Sequence, residues 1–349
     1  MRIAIITDKY DIKRGTGISR YTTELIKKLK SYVDIDIIGT SPPNAFKSIY
    51  DHALRVPAKV LLNRNNYDLF HSMAPVNSFH LPFIKKPTVI TYHDLATILY
   101  NRGGNFYVRK TVPYFYKLGK YSNVIIANSS QTKKEIIDFL SIPEEKVEVI
   151  HLGVNEYFKP LNSVKKTDQF IIGFIGSIDY RKRLDFLLES FSMLLKRKPD
   201  LNIKLFIYGT GNVELLLKLK KLANDLNIAD KVEFKGFAPE SELVNIYNYF
   251  DIFVIPSEWE GFGIPILEAQ KCGVPVIVRN NVNIPSEVTN ACVKAESTSE
   301  MAKKIYHLLM NDQFRSEVIN AGLNYSKQFT WDKTAERTFE VYEKLINSN

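Results

Sequence analysis

The chain has 349 residues, 45% of them hydrophobic and 24% charged, which is the composition of an ordinary globular protein and excludes a disordered or fibrous one. Its length predicts two domains. The two cysteines exclude a disulfide framework and cannot form a zinc site unaided. A formal charge of +9 favours anionic partners, but the lysines form no basic stripe interleaved with aromatic residues, which argues against nucleic acid.

The first apolar run, residues 2–7, ends at Asp8 and is too short for a secretory signal or a membrane span. No other apolar run approaches ~18 residues, the length that a membrane-spanning helix needs. We therefore expect a cytoplasmic protein.

The first half of the chain alternates short β-branched runs with longer amphipathic stretches. The strand candidates, in chain order, are "RIAIIT", "VDIDIIGT", "YDLFHS", "KPTVITYHD", "SNVIIANS" and "EKVEVIHLG". This alternation is typical of a parallel sheet with crossover helices.

Two features of this half lie where a strand is expected to end. In "KRGTGISRY", Gly15 and Gly17 let the backbone approach a ligand, but Arg20 replaces the third glycine of a dinucleotide fingerprint, so this is a generic tight turn. In "TYHDLA", His93 could bond a sugar hydroxyl, although a single histidine is more often structural.

Residues 156–169 break the alternation because they are polar, charged and contain a proline, so we interpret them as an interdomain linker. The alternation then resumes with "FIIGFIGS", "NIKLFIYGTG", "KVEFKGF", "DIFVIPSE" and "VPVIV". The sequence therefore predicts two doubly wound α/β domains facing each other across a cleft, residues 1–160 and 161–330. Residues 331–349 are predicted to form a helix that packs back toward the first domain.

The stretch "GFIGSIDYRKRLDF" places Arg181, Lys182 and Arg183 between a predicted strand and a predicted helix. Clustered cations at such a junction suit a diphosphate leaving group, because they neutralise the charge that develops on it. Taken alone, the stretch favours an ordinary basic loop over a diphosphate site.

The stretch "PSEWEGFGIPILEAQ" places Glu260 and Glu268 on either side of a Gly-Phe-Gly turn. The glycines permit a sharp bend, and the amides of Phe262, Gly263 and Ile264 would point out of a helix N-terminus, which suits phosphate or sugar oxygens. Carboxylates suit vicinal hydroxyls. The alternative is that Glu268 only favours the helix dipole and Glu260 is a surface acid.

Taken together, these stretches resemble glycosyltransferase family 4, whose members are retaining enzymes of GT-B fold. The resemblance covers nearly the whole chain, including "GTGISRYTTEL", "TYHDL", "FIGSIDYRKRLDFLLESF" and "PSEWEGFGIPILEAQKCGVPVI". Its most specific part is the pair Glu260 and Glu268 around Gly-Phe-Gly.

The resemblance implies an acceptor-binding first domain and a donor-binding second domain. It implies catalytic roles for His93, Glu260, Arg181 and Lys182. The donor-binding residues that it implies are Gly15, Gly17, Arg181, Lys182, Phe237, Glu260, Phe262, Gly263, Ile264 and Glu268. It further implies that neither a metal nor a cofactor is needed. Arg183 departs from the family pattern, since many members have glycine or asparagine there.

We therefore expect a retaining hexosyltransferase that uses a nucleotide-sugar donor, with GDP-mannose preferred to a UDP-hexose, and a glycan or lipid-linked acceptor. Aromatic and basic loops within 41–66 and 100–121 could rest on an anionic membrane, and a soluble acceptor remains open. The alternatives are an epimerase or phosphorylase of the same fold, or an inactive nucleotide-sugar binding subunit.

Overall fold

The protein was analysed as a computed structural model, which describes residues 1–7, 17–39, 54–99, 106–161 and 168–348. The chain divides into two compact units, and each is described by itself. The first unit contains Met1–Gly153 together with Phe329–Asn349, and the second contains Val154–Gln328. The C-terminal segment therefore belongs to the first unit.

The first unit is built on a six-stranded parallel sheet with the strand order β2-β1-β3-β4-β5-β6. Its strands are β1 (Arg2–Thr7), β2 (Asp34–Gly39), β3 (Leu69–Ser72), β4 (Thr88–Tyr92), β5 (Val124–Ala127) and β6 (Val147–Val149). Every residue of β3 and of β4 is buried. Burial on both faces is expected of a parallel sheet covered by helices, and it explains the nearly continuous apolar runs in the sequence.

The described helices of the first unit connect these strands. They are α1 (Gly17–Leu29), α2 (Val56–Leu62), α3 (Ala96–Leu99), α4 (Phe106–Leu118) and α5 (Ser130–Leu140). A short 3₁₀ turn, Gly119–Tyr121, follows α4 directly.

The second unit contains another six-stranded parallel sheet, with the order β12-β11-β10-β7-β8-β9. Its strands are β7 (Phe170–Ile175), β8 (Ile203–Tyr208), β9 (Val232–Gly236), β10 (Ile252–Ile255), β11 (Val276–Arg279) and β12 (Val293–Ala295). Its helices are α6 (Leu184–Arg197), α7 (Val213–Asp225), α8 (Leu243–Tyr249), α9 (Ile264–Lys271), α10 (Ser286–Thr289), α11 (Thr298–Met310) and α12 (Asp312–Ser326). The two doubly wound sheets confirm the predicted fold class.

The last helix, α13 (Trp331–Asn347), packs against α1 of the first unit. Trp331 and Tyr342 are buried there, and an ion pair of 2.7 Å joins Lys28 to Asp332. The amphipathic pattern of the sequence is what allows one face of this helix to be buried while the other stays polar.

The second unit begins at residue 154, ahead of the boundary at 161 that the sequence predicts. The reason is that the residues before 161 bond to this unit. Lys271 Nζ donates to the carbonyl of Val154 at 3.1 Å, and the side-chain amide of Asn248 donates to the carbonyl of Lys159 at 3.0 Å. Part of the predicted linker is therefore fixed to the second unit.

The strand order reverses between β7 and β10 in the second unit, because the chain adds β8 and β9 on one side of β7 and β10 to β12 on the other. Beyond the carboxyl ends of two such neighbouring strands, the loops diverge to opposite faces and leave a crevice, where ligands of doubly wound sheets bind. Residues 176–183 and 256–263 follow these two strands.

Candidate functional site

The two loops beyond β7 and β10 are held together by their backbones. The amide of Glu258 donates to the carbonyl of Arg181 at 2.8 Å. The loop after β11 continues the arrangement, because the Glu260 amide donates to the carbonyl of Asn283 at 2.8 Å. Side chains from separate parts of the chain are thereby brought to one place on a rigid support.

Lys182 and Glu260 form a buried ion pair at this place. Lys182 Nζ lies 2.6 Å from Oε1 and 2.7 Å from Oε2 of Glu260, and both side chains are at least nine-tenths buried. The Ser257 hydroxyl, which is fully buried, donates to Glu260 Oε1 at 2.6 Å. The carboxylate is therefore held in one orientation by three hydrogen bonds.

These surroundings keep Glu260 ionised. Burial by itself raises the pKa of Glu260, but the charges of Lys182 and Arg181 and the hydrogen bonds from Lys182 and Ser257 outweigh it, so the pKa lies below its ordinary value. Burial lowers the pKa of Lys182, an effect that the charge of Glu260 opposes. The contact geometry is that of an ammonium with a carboxylate.

Arg181 lies beside this ion pair, at longer distances than those between Lys182 and Glu260. Its Nη1 lies 3.8 Å from Glu260 Oε2 and its Nε lies 3.9 Å from Asp179 Oδ2, both beyond hydrogen-bond length. Its guanidinium lies over the ring of the buried Trp259, 5.4 Å from the centroid. Two cations thus adjoin the buried carboxylate of Glu260, while Asp179 adjoins Arg181, so the charges of this cluster nearly balance. Arg181, whose ion-pair contacts here are the longer ones, is the cation suited to an anionic ligand.

The Gly-Phe-Gly turn that follows Glu260 leads directly into α9. Gly263 has φ 99°, in the left-handed region that favours glycine, and it caps the helix that Ile264 begins. Gly263 and Ile264 are partly exposed, whereas the Phe262 side chain is buried. Pro265 has no N–H and the Ile266 amide donates to the Gly263 carbonyl at 3.0 Å, so the amide of Ile264 is the first-turn donor suited to an anion.

Glu268 lies on the same helix but is buried in a different environment. It accepts a hydrogen bond of 2.7 Å from the Tyr247 hydroxyl of α8. The structure therefore joins Arg181, Lys182 and Glu260 by direct contacts, and joins Glu268 to Tyr247.

Phe237 directly follows β9, the edge strand two positions from β7. Its side chain is exposed, and Gly236 before it has φ 73°. The amide of Gly209 donates to the carbonyl of Gly236 at 2.7 Å, which ties this loop to the one after β8. An exposed aromatic ring at this edge is available to stack against a flat ligand group.

Three of the predicted site residues, His93, Gly15 and Gly17, belong to the first unit. His93 follows β4, where its Nε2 donates to the carbonyl of Met73 at 2.9 Å. The Asn128 amide donates to the carbonyl of His93 at 2.6 Å. Gly17 is the first residue of α1, and a Cβ there would meet no atom within 4 Å, whereas Gly15 lies outside the described residues.

Sequence reasoning missed three residues that support this site, namely Ser257, Trp259 and Tyr247. Each touches a predicted site residue, as given above, but none belongs to a residue type that stands out in its stretch. Ser257 lies three positions before Glu260, the one spacing that could have indicated the contact. Within the described ranges, no group of three or more His, Cys, Asp or Glu side chains could hold a metal ion.

Comparison with known proteins gives the identity of both units. Residues 15–157 match the family model described as Glycosyltransferase Family 4, and residues 157–325 match the model described as Glycosyl transferases group 1. An uncharacterized glycosyltransferase of Methanocaldococcus jannaschii is 30% identical, over 63% of this chain and 59% of that protein, so less than two thirds of that relative is matched. The O-antigen chain mannosyltransferase B of Escherichia coli is 25% identical over 99% of this chain and 100% of its own.

Solved structures show the same fold. Sucrose-phosphate synthase from Thermosynechococcus elongatus superposes with a TM-score of 0.82 at 19% identity, and 100% of each chain is covered. The Anabaena protein HepE, solved in complex with UDP and glucose, gives 0.76 at 15% identity over 98% of this chain and 99% of its own. The fold and the matched models together define the protein as a glycosyltransferase of the GT-B type. Within that class, the chain belongs to glycosyltransferase family 4.

Proposed function

We propose that this enzyme transfers a hexose from a nucleoside-diphosphate sugar to a hydroxyl of a glycan or lipid-linked acceptor, with retention of the anomeric configuration. The observation that carries the proposal is the cluster of Arg181, Lys182 and Glu260 beside the N-terminus of α9, at the strand-order reversal of the second unit. Cations, an amide at a helix N-terminus and a fixed carboxylate are what a diphosphate joined to a sugar requires.

In the proposed reaction, the bond between the sugar and the diphosphate breaks and negative charge grows on the departing oxygen. Arg181, Lys182 and the amide of Ile264 stabilise that charge in place, so little reorganisation is needed as it forms. Glu260 accepts hydrogen bonds from sugar hydroxyls. The acceptor hydroxyl attacks the face that the diphosphate leaves, without a protein nucleophile, and its proton passes to the leaving group.

Metal independence is part of the same proposal. Two fixed cations next to the leaving group supply the charge neutralisation for which a divalent ion is otherwise needed. The test is a transfer assay in excess chelator, where an unchanged rate is expected. A rate that falls and returns with added magnesium would contradict this part alone.

We propose GDP-mannose as the donor, with a UDP-hexose as the alternative. The mannosyltransferase name of the Escherichia coli relative supports the first, and the UDP bound to HepE supports the second. Phe237 is proposed to stack on the base, and Glu268 to hold the ribose. A thermal-shift panel of GDP, UDP, ADP and their sugars separates the donors, because a ligand that binds the native state at 100 times its Kd stabilises it by about 2.7 kcal/mol.

The transfer itself is tested with Glu260→Gln, which keeps the side-chain shape and removes the charge. We expect a loss of rate of at least 100-fold, as is usual when a preorganised charged group at the reacting centre is neutralised. The matched control is Glu258→Gln, two residues away with a side chain that is 41% exposed, and it should retain activity. A folded Glu260→Gln protein with normal transfer would refute the site.

The alternatives are separated by what is added to the donor. A phosphorylase needs only phosphate to release the sugar, an epimerase needs no second substrate, and a transferase needs the acceptor. An inactive binding subunit would give a thermal shift without turnover under all three conditions.

The proposed acceptor site is in the first unit, which also carries a surface suited to an anionic membrane. We call this surface the lysine–aromatic face; its residues are Phe83, Lys85, Lys86, Tyr114, Lys117, Lys120 and Tyr121. The three rings are 62%, 57% and 50% exposed, in that order, and all four lysines are exposed. The segments 81–87 and 112–123, which hold the face, contain no acidic residue.

The face is continuous because its parts are in contact. Tyr114, Lys117 and Tyr121 are spaced three and four residues apart, so they lie on one side of α4 and the 3₁₀ turn after it. That turn packs against the 3₁₀ turn Leu81–Phe83, and Lys120 Nζ lies 5.0 Å from the Tyr121 ring centroid. Aromatic rings and lysines together favour the headgroup region of an anionic bilayer.

Co-sedimentation with vesicles tests the membrane proposal. We expect binding to vesicles that contain phosphatidylglycerol, weaker binding to pure phosphatidylcholine, and loss of binding in Phe83→Ser/Tyr121→Ser. Phe139→Ser is the control, since that ring is also 57% exposed but adjoins Asp138. Equal binding by both variants, or no binding to anionic vesicles, would remove the membrane from the proposal. None of the described helices has the length and apolar character of a membrane span.

A further inference from the structure

Four buried polar side chains form a chain of hydrogen bonds through the core of the first unit. Tyr342 Oη lies 2.5 Å from His71 Nδ1, His71 Nε2 lies 2.8 Å from Thr91 Oγ1, and Thr91 Oγ1 lies 3.1 Å from Tyr21 Oη. All four residues are almost completely buried. The chain links the C-terminal helix α13 to β3, β4 and α1.

The imidazole in the middle of this chain is neutral. Burial and the nearby His93 lower the pKa of His71 to about 3. A neutral imidazole donates through one nitrogen and accepts at the other, so His71 is a donor toward one of Tyr342 and Thr91 and an acceptor toward the other. The Thr91 hydroxyl bonds both His71 and Tyr21, so a change at Tyr342 can reach Tyr21 through hydrogen-bonded groups.

Three members of the hydrogen-bond chain, Tyr21, Thr91 and His71, are in contact with His93 or lie close to its contacts in the sequence. The Tyr21 ring lies edge to face with the His93 imidazole, with 4.7 Å between the centroids, and Thr91 precedes His93 by two residues. The carbonyl that holds His93 Nε2 belongs to Met73, two residues after His71. The groups that orient the His93 ring are thus attached to members of the chain.

A core role alone does not account for these residue types. Apolar residues lie next to His71 and Thr91 on the same strands, among them Ile90, Phe70 and Val89, all fully buried. Buried polar groups lose their bonds to water, and apolar side chains of similar size fill a core at no such cost. A fully bonded polar chain does give one defined arrangement, which an apolar core gives less strictly.

We propose that the hydrogen-bond chain Tyr342–His71–Thr91–Tyr21 positions the imidazole of His93. The C-terminal helix, far away in sequence, thereby sets the geometry of a candidate catalytic residue in the first unit. The positioning does not depend on what the enzyme transfers; only its effect on turnover depends on the proposed function, in which His93 contacts the reacting sugar.

The experiment compares Tyr342→Phe with Thr338→Val in the full-length protein. Phenylalanine keeps the ring and removes the hydroxyl from the chain. Thr338 is a fully buried residue of the same helix whose hydroxyl donates to the Thr334 carbonyl at 2.7 Å, so its loss should perturb the helix without touching the chain. The primary measurement is the ¹⁵N shifts of the His93 ring in histidine-labelled protein, assigned with His93→Gln.

We expect Tyr342→Phe to shift the His93 ring nitrogens and Thr338→Val to leave them unchanged. In the transfer assay, Tyr342→Phe should lower kcat about tenfold, the effect of 1.4 kcal/mol at the transition state, with an unchanged donor KM. Tyr21→Phe, which keeps the ring against His93 and loses only the hydroxyl, serves if Tyr342→Phe does not fold.

A shift of the His71 resonance with none at His93 would overturn the proposal, as would equal effects of Tyr342→Phe and Thr338→Val. A shift at His93 without any change in transfer would support the positioning and reject the role of His93 in catalysis. The ¹⁵N shifts of the His93 ring therefore test the positioning, and the transfer assay separately tests the role of His93 in the proposed function.

Discussion

Ser257 shows how much of the candidate site depends on a residue without charge. Its hydroxyl completes the set of donors around Glu260 and belongs to the same short segment as Trp259, which supports Arg181. Within "SEWE", Ser257, Trp259 and Glu260 all contribute to one cluster. Two of them, Ser257 and Trp259, are fully buried and uncharged, so the sequence alone suggests ordinary core residues.

We predict that Ser257→Ala moves the acid limb of the pH profile of transfer to higher pH. The hydrogen bond from Ser257 helps lower the pKa of Glu260. A hydrogen bond to the ionised carboxylate favours the charged form, so its loss should raise that pKa. In the proposed reaction Glu260 acts in its ionised form, so activity present above its pKa should be lost at a higher pH as the pH falls.

The measurement is kcat/KM from pH 4 upward for the wild type, for Ser257→Ala and for Ser190→Ala. Ser190 is as fully buried as Ser257, and its hydroxyl donates to the Phe186 carbonyl at 2.7 Å, away from Glu260. Superimposable profiles for the two variants would mean that Ser257 only fills space.

At the scale of elements, the junction before α6 explains a departure of this sequence from its family. Arg183 has φ 48°, in the left-handed region, and joins a 3₁₀ turn to α6. Glycine and asparagine adopt this conformation at little cost, which is the physical reason to expect them at this position. Arg183 is held there by two hydrogen bonds to Asp185 Oδ2, at 3.1 and 2.9 Å, and by Glu258 at 3.6 Å.

We predict that Arg183→Gly is more stable than Arg183→Ala by about 1 kcal/mol. Both variants lose the partly exposed ion pairs, so that loss cancels in the comparison. Alanine keeps the strain of the left-handed backbone, about 1–2 kcal/mol, and glycine relieves it at a smaller cost in unfolded-state entropy. Urea denaturation of the second unit measures the difference, and an alanine variant at least as stable as the glycine variant would show that the backbone there is unstrained.

The elements themselves were predictable because local patterns determine them. Continuous apolar runs predict β4 and β10, and the glycine turn with Pro265 predicts the start of α9. The pairing of Lys182 with Glu260 was not predictable, because the two residues are 78 positions apart and meet only when β7 and β10 are neighbours. The same holds for Tyr247 with Glu268, since no local signal selects the partner of a buried acid.

At the scale of the whole molecule, the first unit depends on residues from both ends of the chain. We predict that a protein ending at Gln328 retains a folded second unit and an unstable first unit. The removed helix buries Trp331 and Tyr342, each worth about 1.5–3 kcal/mol, and ends the hydrogen-bond chain at His71.

Hydrogen exchange followed by mass spectrometry measures this effect unit by unit. Amides of β1, β3 and β4 should lose protection in the truncated protein, while those of β7 and β10 keep it. Lys28→Ala is the control, because it removes only the exposed ion pair to Asp332 and should leave protection in both units unchanged. Protection of the β1, β3 and β4 amides after truncation would show that the first unit is stable without α13.

The first unit is made of two separate segments of the chain, so it cannot be completed during translation until its C-terminal segment has been synthesised. Tyr342 is translated 271 residues after His71, its partner in the core. At about 5–20 residues per second, the strands of the first unit wait roughly 14–54 s for their last helix. The second unit, an unbroken segment, can finish first. The surface of the first unit that Trp331 and Tyr342 cover in the folded protein therefore stays uncovered on the nascent chain during that delay.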